Sequence, residues 1–243
     1  MKIAREIIDS ERDGFHRLVE PRDAATLIVI DRSSAEPKVL LGRRHTRHAF
    51  MPGKFVFPGG GLDPADRAMP AGKPLHPDVR RRLLAHLKAP AEDFARGLAL
   101  AAIRETFEET GLLIGARARV SGAVPPGIWT RFVDAGFYPD LSVVQLIARA
   151  ITPPGFPRRY DARFFCVDAQ AVAHRLDNVV HADAELVELT WLPIEEARRI
   201  DLPVITELVL RELQTRLRAG FLPSLPVPFY CTRDDDFSRE MIA

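Results

Sequence analysis

Ala101-Ala-Ile-Arg-Glu-Thr-Phe-Glu-Glu-Thr-Gly111 is the stretch of sequence that decides the fold. Together with Leu100, its Ile103 and Phe107 have the i, i+3 and i+7 spacing of an apolar stripe on an α-helix. Gly111 is expected to end the helix, because glycine adopts the left-handed backbone conformation at little cost. The stretch therefore predicts one long helix, beginning near Ala91, that packs its stripe against a core.

A second face of this helix carries three carboxylates, from Glu105, Glu108 and Glu109. Side chains three and four residues apart are neighbours on a helix, and like charges there are destabilising unless something neutralises them. A hard divalent cation would do so, since Mg²⁺ binds a few carboxylates together with substrate phosphates. A solvated acidic face is the alternative for three glutamates considered alone, so the flanking sequence has to decide.

Segments with strand and helix patterns alternate along the rest of the chain. Ala24–Ile30 is short, apolar and β-branched, as in a buried strand, and Lys54–Phe57 is a strand that leads directly into Pro58-Gly-Gly-Gly61. Further strands are predicted at 38–44, 141–151, 163–167 and 184–192, and further helices at 78–88, 193–199 and 204–217. Residues 125–139 are predicted to form a loop, and the tail after Gly220 an irregular segment. This mixture predicts an α/β sandwich.

Composition narrows the class of protein. The 243 residues are 47% apolar and 28% charged, which is ordinary for a globular protein with a sizeable core. The formal net charge of +1 gives no broad electrostatic footprint for nucleic acid. Two cysteines, Cys166 and Cys231, argue against a disulfide framework and favour a reducing compartment. The charged N-terminus and the absence of an apolar run near 18 residues lead us to expect a cytoplasmic protein without a membrane span.

The glycines and the helix together resemble the signature of the Nudix hydrolase superfamily. Gly59-Gly60 permits close approach of the backbone to a ligand, and Gly61-Leu-Asp-Pro-Ala-Asp66 is followed, after an interval, by Arg104-Glu-x-x-Glu-Glu-x-Gly111. The second half matches the signature at every polar position. The first half departs from it, because Asp63 and Asp66 stand where the signature usually has Glu. In addition, 37 residues separate Asp66 from Arg104, so an insertion of about 67–96 would have to loop out.

The insertion itself resembles one branch of the superfamily, whose studied eukaryotic members are coenzyme A and acyl-CoA diphosphatases. Phe50–Asp63, Ile151–Phe165 and Glu188–Ala197 resemble that branch as well, so the resemblance extends from about Ala24 to Leu217. It implies a Nudix α/β/α sandwich with a mixed sheet and a helical insertion within the motif. We expect residues 1–243 to form a single domain, with an irregular tail at about 220–243.

The resemblance also implies roles for individual residues. The carboxylates of Glu105, Glu108 and Glu109 would hold Mg²⁺ or Mn²⁺, joined by the backbone carbonyl of Gly60, and Arg104 would position a motif carboxylate. A proton acceptor for the attacking water would be Glu108 or Glu109, or a glutamate on a later segment. Glu185 and Glu188 are the candidates there, and Glu188 is included among the predicted catalytic residues.

Phosphate contacts are expected from arginine, whose planar fork suits phosphate oxygens. The candidate substrate-binding residues lie before the motif and after a proline-rich connector: Arg43, Arg44, Arg47, Phe50, Arg158 and Arg159. Phe50, Trp129 and Tyr138 could stack on an adenine, although packing in the core or a loop is the alternative for each.

The predicted function is divalent-metal-dependent hydrolysis of the diphosphate in a nucleoside diphosphate linked to another moiety. Coenzyme A or acyl-CoA is the first choice, giving 3′,5′-ADP and a phosphopantetheine product. ADP-ribose, NADH and dinucleoside polyphosphates stay open as substrates, because a coenzyme A signature before the Gly-Gly pair is only partly present.

A nucleotide-sensing binding module is the non-enzymatic alternative. Prenyl diphosphate isomerase chemistry is disfavoured because Cys166 lies in an apolar strand, and decapping of messenger RNA because a long basic track is missing. The partner is thus a small nucleotide, with a homodimer among the options for assembly.

Overall fold

The computed structural model describes residues 19–47, 52–233 and 236–243. Within them a main sheet has the strand order β10-β2-β1-β8-β7-β11-β12, with β3 paired to β2 and β4 to β1. The pairs β1–β8 and β7–β11 are parallel and the others antiparallel, so the sheet is mixed as predicted. The strands of the main sheet are β1 (Arg22–Asp31), β2 (Lys38–Arg44), β3 (Phe55–Val56), β4 (Gly59–Gly61), β7 (Gln145–Ile151), β8 (Tyr160–Asp168), β10 (Leu186–Pro193), β11 (Val227–Arg233) and β12 (Asp236–Ile242). A smaller sheet joins β6 (Tyr138–Pro139), β5 (Leu112–Ala116) and β9 (Val172–Arg175) in that order.

Helices lie against both faces of the main sheet. The helices of the described residues are α1 (Pro64–Ala68), α2 (Pro77–Leu84), α3 (Phe94–Thr110), α4 (Ile128–Asp134), α5 (Ile194–Ala197) and α6 (Val204–Arg218). Helix α3 is the predicted long helix, and Gly111 ends it in the left-handed conformation with φ 74°. None of the helices in the described residues has the length and apolar character needed to cross a membrane.

Strand β1 is apolar on both sides because it contributes to two cores. Ala25, Leu27 and Val29 face the core beneath α3, whereas Ile28 and Ile30 face the core beneath α6. Successive side chains on a strand point to opposite faces, so the continuous apolar run of β1 is what a strand covered on both faces requires. The layered α/β architecture predicted from the sequence is confirmed.

Residues 125–139 were predicted as a loop, and this prediction is wrong. Part of the segment is helix α4, whose Trp129 and Phe132 are fully buried. Their rings pack edge-on, with centroids 5.5 Å apart, and Phe132 lies 5.1 Å from the ring of Phe107 on α3. Tyr138, in turn, belongs to strand β6. The prolines and glycines around this short helix conceal its periodicity, and core packing rather than propensity stabilises it.

The prediction for the tail after Gly220 is also wrong, because β11 and β12 form an antiparallel pair that extends the main sheet. Phe229 and Tyr230 pair in parallel with β7, and Phe229 is buried in the α3-side core. The inserted helix α2 holds the segment that leads into this pair. Its Arg82 is buried and donates to the carbonyls of Pro223 (2.7 Å) and Ser224 (2.6 Å). Arg82 therefore stabilises the C-terminal segment and does not face solvent.

Candidate active site

The glycine strand β4 brings the motif backbone against the acidic face of α3. Gly59, Gly60 and Gly61 pair antiparallel with Thr26, Ala25 and Ala24 of β1, and Ala25 lies on the α3 side of the sheet. A Cβ atom added to Gly60 would overlap the carboxylate of Glu105. A side chain at position 60 would therefore displace the Glu105 carboxylate from the strand, and glycine permits this close approach.

Arg104 organises the polar groups around this contact. Its guanidinium donates to Asp66 through Nε (2.8 Å, to Oδ1) and Nη2 (3.1 Å, to Oδ2), and Nη2 also donates to the carbonyl of Gly61 (2.9 Å). Nη1 donates to Glu105 (2.7 Å) and Glu108 (3.0 Å). Burial alone would lower the pKa of Arg104, but the bonds to Asp66 and the charge of Glu105 outweigh it and raise that pKa. Arg104 stays cationic and links the two halves of the motif.

Asp66 is the carboxylate that Arg104 holds, and it is fully buried. Asp63 and Asp66 form a capping box at the start of helix α1. The Asp66 side chain accepts a hydrogen bond from the backbone N–H of Asp63, and the Asp63 side chain accepts from the backbone of the first helical turn. The indole Nε1–H of Trp129 also donates to Asp66, at 3.3 Å. Sequence reasoning missed this role of Trp129, because the two residues are 63 positions apart and no local pattern connects them.

Of the three carboxylates on the acidic face, Glu109 is the one whose charge is least offset by hydrogen bonds and positive charges. It is buried, accepts a hydrogen bond from the backbone N–H of Gly59, and its Oε2 has no hydrogen-bond partner. Burial, and after it the charges of Glu185 and Glu105, raise the pKa of Glu109 well above its ordinary value. Burial also raises the pKa of Glu105, against the opposing effect of Arg104. An unpaired buried carboxylate oxygen costs free energy, and a cation beside it would recover that cost.

The acidic face fits a divalent ion in the chemistry of its side chains, although its three carboxylates do not converge on one point. Within the described residues, no group of three or more His, Cys, Asp or Glu side chains is arranged to hold a metal. Glu105 and Glu108 bind Arg104 instead, whereas Glu109 extends to Gly59. The donors are nevertheless all oxygens, as Mg²⁺ and Mn²⁺ prefer. One of them, Glu109 Oε2, is buried without a partner.

Strand alternation separates the two arginines that end β2. Leu40 faces the α3-side core whereas Val39 and Leu41 face the opposite core, so Arg44 lies on the α3 side and Arg43 on the other. Each has its own acid: Arg44 binds Glu185 at 2.8 Å, and Arg43 binds Glu188 at 2.8 Å.

The same alternation decides between the two later glutamates. The charges of Glu185 and Arg44 both act on Glu109, which places this pair beside the acidic face. Glu188 is opposite Arg43 on β10 and thus lies on the far face of the sheet, away from the helix that carries the carboxylates. The structure therefore brings Glu185 and Arg44 to the site, and does not bring Glu188 and Arg43 there. The pairing of β10 and the segment before it with the end of β2 decides which arginine each glutamate meets, and the sequence does not reveal this pairing.

The remaining predicted substrate contacts are dispersed. Arg47 binds Asp183 at 3.2 Å with most of its side chain exposed, close to the Arg44–Glu185 pair in sequence. Arg159 donates to the backbone carbonyls of Thr152 (3.0 Å) and Val19 (2.7 Å), and Arg158 is exposed. Phe50 lies outside the described residues. Cys166 is buried, and burial raises the pKa of its thiol, as expected for a packed apolar residue.

Comparison with known proteins connects this geometry to a family. The chain is 29% identical to the acyl-coenzyme A diphosphatase NUDT19 of Gallus gallus, over 74% of this chain and 63% of that protein. It is 26% identical to the putative nudix hydrolase 7 of Caenorhabditis elegans, over 59% of this chain and 43% of that protein. The chain thus spans less than two thirds of the length of either curated relative. No protein-family model matches it.

Among solved structures, a NUDIX hydrolase from Alicyclobacillus acidocaldarius superposes with a TM-score of 0.60. It is 28% identical in sequence, and the match covers 80% of this chain and 91% of that one. The agreement includes the mixed sheet and the flanking helices.

Proposed function

We propose, because the chain belongs to the Nudix hydrolase superfamily, that it hydrolyses the diphosphate of a nucleoside diphosphate linked to another moiety. The observation that carries this proposal is the acidic face of α3. Arg104 joins this face to the glycine strand β4, and the face includes a buried carboxylate oxygen of Glu109 that has no hydrogen-bond partner. A cation bound there would offset the free-energy cost of leaving a buried carboxylate oxygen unpaired.

The residues that would hold a divalent ion, Mg²⁺ or Mn²⁺, are Glu105, Glu108 and Glu109, with the carbonyl of Gly60. When bound, such an ion offsets the charge of the two phosphates and lowers the pKa of a water. Arg104 has a positioning role, because it bonds to Asp66 and Gly61 on one side and to Glu105 and Glu108 on the other.

The reaction joins the oxygen of a water to one phosphorus and breaks the bond from that phosphorus to the bridging oxygen. A carboxylate takes the proton of the water, and the second phosphate leaves with the bridging oxygen. Glu109 and Glu185 are the candidates for this acceptor, because both belong to the α3 side of the sheet. On the same side, Arg44 would donate to a phosphate oxygen in exchange for part of its bond to Glu185.

Coenzyme A or an acyl-CoA is the substrate we favour, with 3′,5′-ADP and (acyl-)phosphopantetheine as products. The support is the likeness to an acyl-coenzyme A diphosphatase and the insertion that separates Asp66 from Arg104. ADP-ribose, NADH and dinucleoside polyphosphates share the same reacting diphosphate and are the alternatives.

The test is a substrate panel with Mg²⁺ or Mn²⁺, containing CoA, acetyl-CoA, a long-chain acyl-CoA, ADP-ribose, NADH and diadenosine tetraphosphate. Chromatography of the products should show 3′,5′-ADP from the CoA esters with the highest kcat/KM of the panel. Brisk ADP-ribose cleavage without turnover of any CoA ester would reject the favoured substrate. Binding of nucleotides with no cleavage at all would reject hydrolysis in favour of a binding module.

The two arginines at the end of β2 give a matched pair of variants. Arg44→Ala is expected to raise KM about 10- to 100-fold, because a hydrogen bond to a charged phosphate contributes about 1.5–3 kcal/mol. Arg43→Ala removes the same side chain from the other face, where Glu188 is about half exposed, and should leave kcat and KM within about twofold. Steady-state kinetics on the best substrate of the panel checks both. Equal effects from the two variants would contradict the assignment of faces.

A further inference from the structure

Trp191 is an exposed aromatic side chain in a place that packing does not explain. In the described residues it is the one aromatic among the exposed large apolar side chains, with 40% of its surface open to solvent. It lies on β10, which forms one edge of the main sheet. The exposed part of this ring offers a large, flat apolar surface on which another planar group could pack.

The strand register places Trp191 on the same face as the candidate active site. Trp191 is directly opposite Leu40 of β2, and Leu189 is opposite Gly42. Residues directly opposite in an antiparallel pair point to the same side of the sheet. Leu40 belongs to the α3-side core, and Leu189 packs against that core. Trp191 therefore shares its face with Arg44.

The distance along this face is suited to a nucleotide. Leu40 and Arg44 are four positions apart on β2, which corresponds to about 13 Å at roughly 3.3 Å per residue. The paired positions between them, Gly42 and Leu189, carry no charge. The spacing of about 13 Å is of the order of the distance from the base to the far phosphate in an extended nucleoside diphosphate.

We propose that Trp191 stacks against the heteroaromatic base of the substrate while Arg44 meets its diphosphate. This inference rests on the proposed function and adds the element that recognises the nucleoside half of the molecule. A base is favoured as the occupant because a tryptophan face stacks on any base, whatever its hydrogen-bonding edge. The other tryptophan cannot serve, since Trp129 is fully buried and bonded to Asp66.

The two tryptophans make a direct test feasible, because the sequence contains no others. Intrinsic fluorescence is recorded while ADP is added without divalent metal, so that turnover does not interfere. Trp191 should be quenched in a saturable manner, and the Trp191→Phe variant, which keeps only the buried Trp129, should show no such change. Inorganic pyrophosphate, which has the charge but lacks the base, should leave the emission of the unmodified protein nearly constant.

Kinetics on the best substrate supplies the second arm. Trp191→Ala should raise KM about tenfold with kcat within about twofold, and Trp191→Phe should recover most of the affinity through its smaller ring. Leu222→Ala is the control, since Leu222 is also exposed (53%) but follows helix α6 on the other side of the sheet. An unchanged KM in Trp191→Ala would overturn the proposal.

The remaining outcomes separate this inference from the proposed function. If pyrophosphate quenches as strongly as ADP, or if Trp191→Ala only converts a dimer into a monomer in light scattering with KM unchanged, base stacking is wrong. If ADP quenches Trp191 while nothing in the panel is hydrolysed, hydrolysis is wrong and the base platform stands. If the panel is hydrolysed and Trp191→Ala has an unaffected KM, hydrolysis stands and the base platform is wrong.

Discussion

Glu109→Gln is expected to lower kcat by about 10³-fold and to leave the fold intact, within the range that an acid–base or metal-binding carboxylate usually contributes. The substitution keeps the shape of the side chain and its acceptor for the Gly59 N–H, but removes the negative charge. Initial rates with saturating metal and substrate measure the effect. Glu196→Gln, an exposed glutamate on α5, is the control and should change kcat by less than about twofold. Near-normal turnover in Glu109→Gln would exclude this residue from the machinery.

The same variant should be more stable than the unmodified protein when metal is absent. Because the pKa of Glu109 is raised, chiefly by burial and then by Glu185, the folded state binds its proton more tightly than the unfolded chain does. The stability that the tighter proton binding contributes is fully present below about 4.3, the pKa of glutamate in the unfolded chain. It is lost as the pH rises through the pKa of Glu109 in the folded protein. Glutamine carries no charge at any pH, so it avoids this loss.

Thermal unfolding in EDTA at several pH values measures this difference. Glu109→Gln should exceed the unmodified protein in Tm at about pH 7–8, with about 2–4 °C for each kcal/mol in a chain of this size, and the two should converge near about pH 4.5. Adding Mg²⁺ or Mn²⁺ should raise the Tm of the unmodified protein through binding to the folded state and should do less for the variant. A lower Tm for Glu109→Gln throughout would mean that the carboxylate is already well compensated.

The acidic face and its helix could be predicted from the sequence because both depend on local spacing. The stripe of Leu100, Ile103 and Phe107 is buried, and Gly111 has the left-handed backbone that the prediction required. Strand β2 likewise begins and ends at the residues predicted, Lys38 and Arg44. A 3.6-residue or 2-residue period fixes which side chains share a face, and that information is present in a short window.

What could not be predicted depends on contacts between distant segments. The bond from Trp129 to Asp66 joins positions 63 residues apart. Likewise, the pairing of distant strands brings Glu185 to Arg44 and Glu188 to Arg43. The strand pair after Gly220 was concealed by its prolines, yet its parallel contact with β7 supplies the burial that local propensity lacks. Tertiary packing decides such features, and single-sequence patterns do not contain it.

Arg104→Met is the prediction with the largest expected effect on stability. It should destabilise the protein by about 3–5 kcal/mol, because removing one partner of a buried ion pair leaves the other charge uncompensated. Asp66 is fully buried and receives two of the guanidinium bonds, so it is the group left behind. Denaturant unfolding gives the free energy. Arg211→Met is the control, since Arg211 is mostly exposed and pairs with Glu207 one turn away on helix α6, and should cost about 1 kcal/mol or less.

A double variant identifies the cause of that loss. If the penalty arises from the stranded charge of Asp66, adding Asp66→Asn to Arg104→Met should restore stability, with a coupling free energy of about 1–3 kcal/mol. Activity should stay lost, because neither residue would then hold Glu105 and Glu108 beside Gly61. If the two changes simply add, Arg104 stabilises the fold through packing of its stem and not through its charge. Recovered stability without recovered turnover would show that Arg104 has two separate roles. It compensates the charge of the buried Asp66, and it holds the glutamates of the acidic face together.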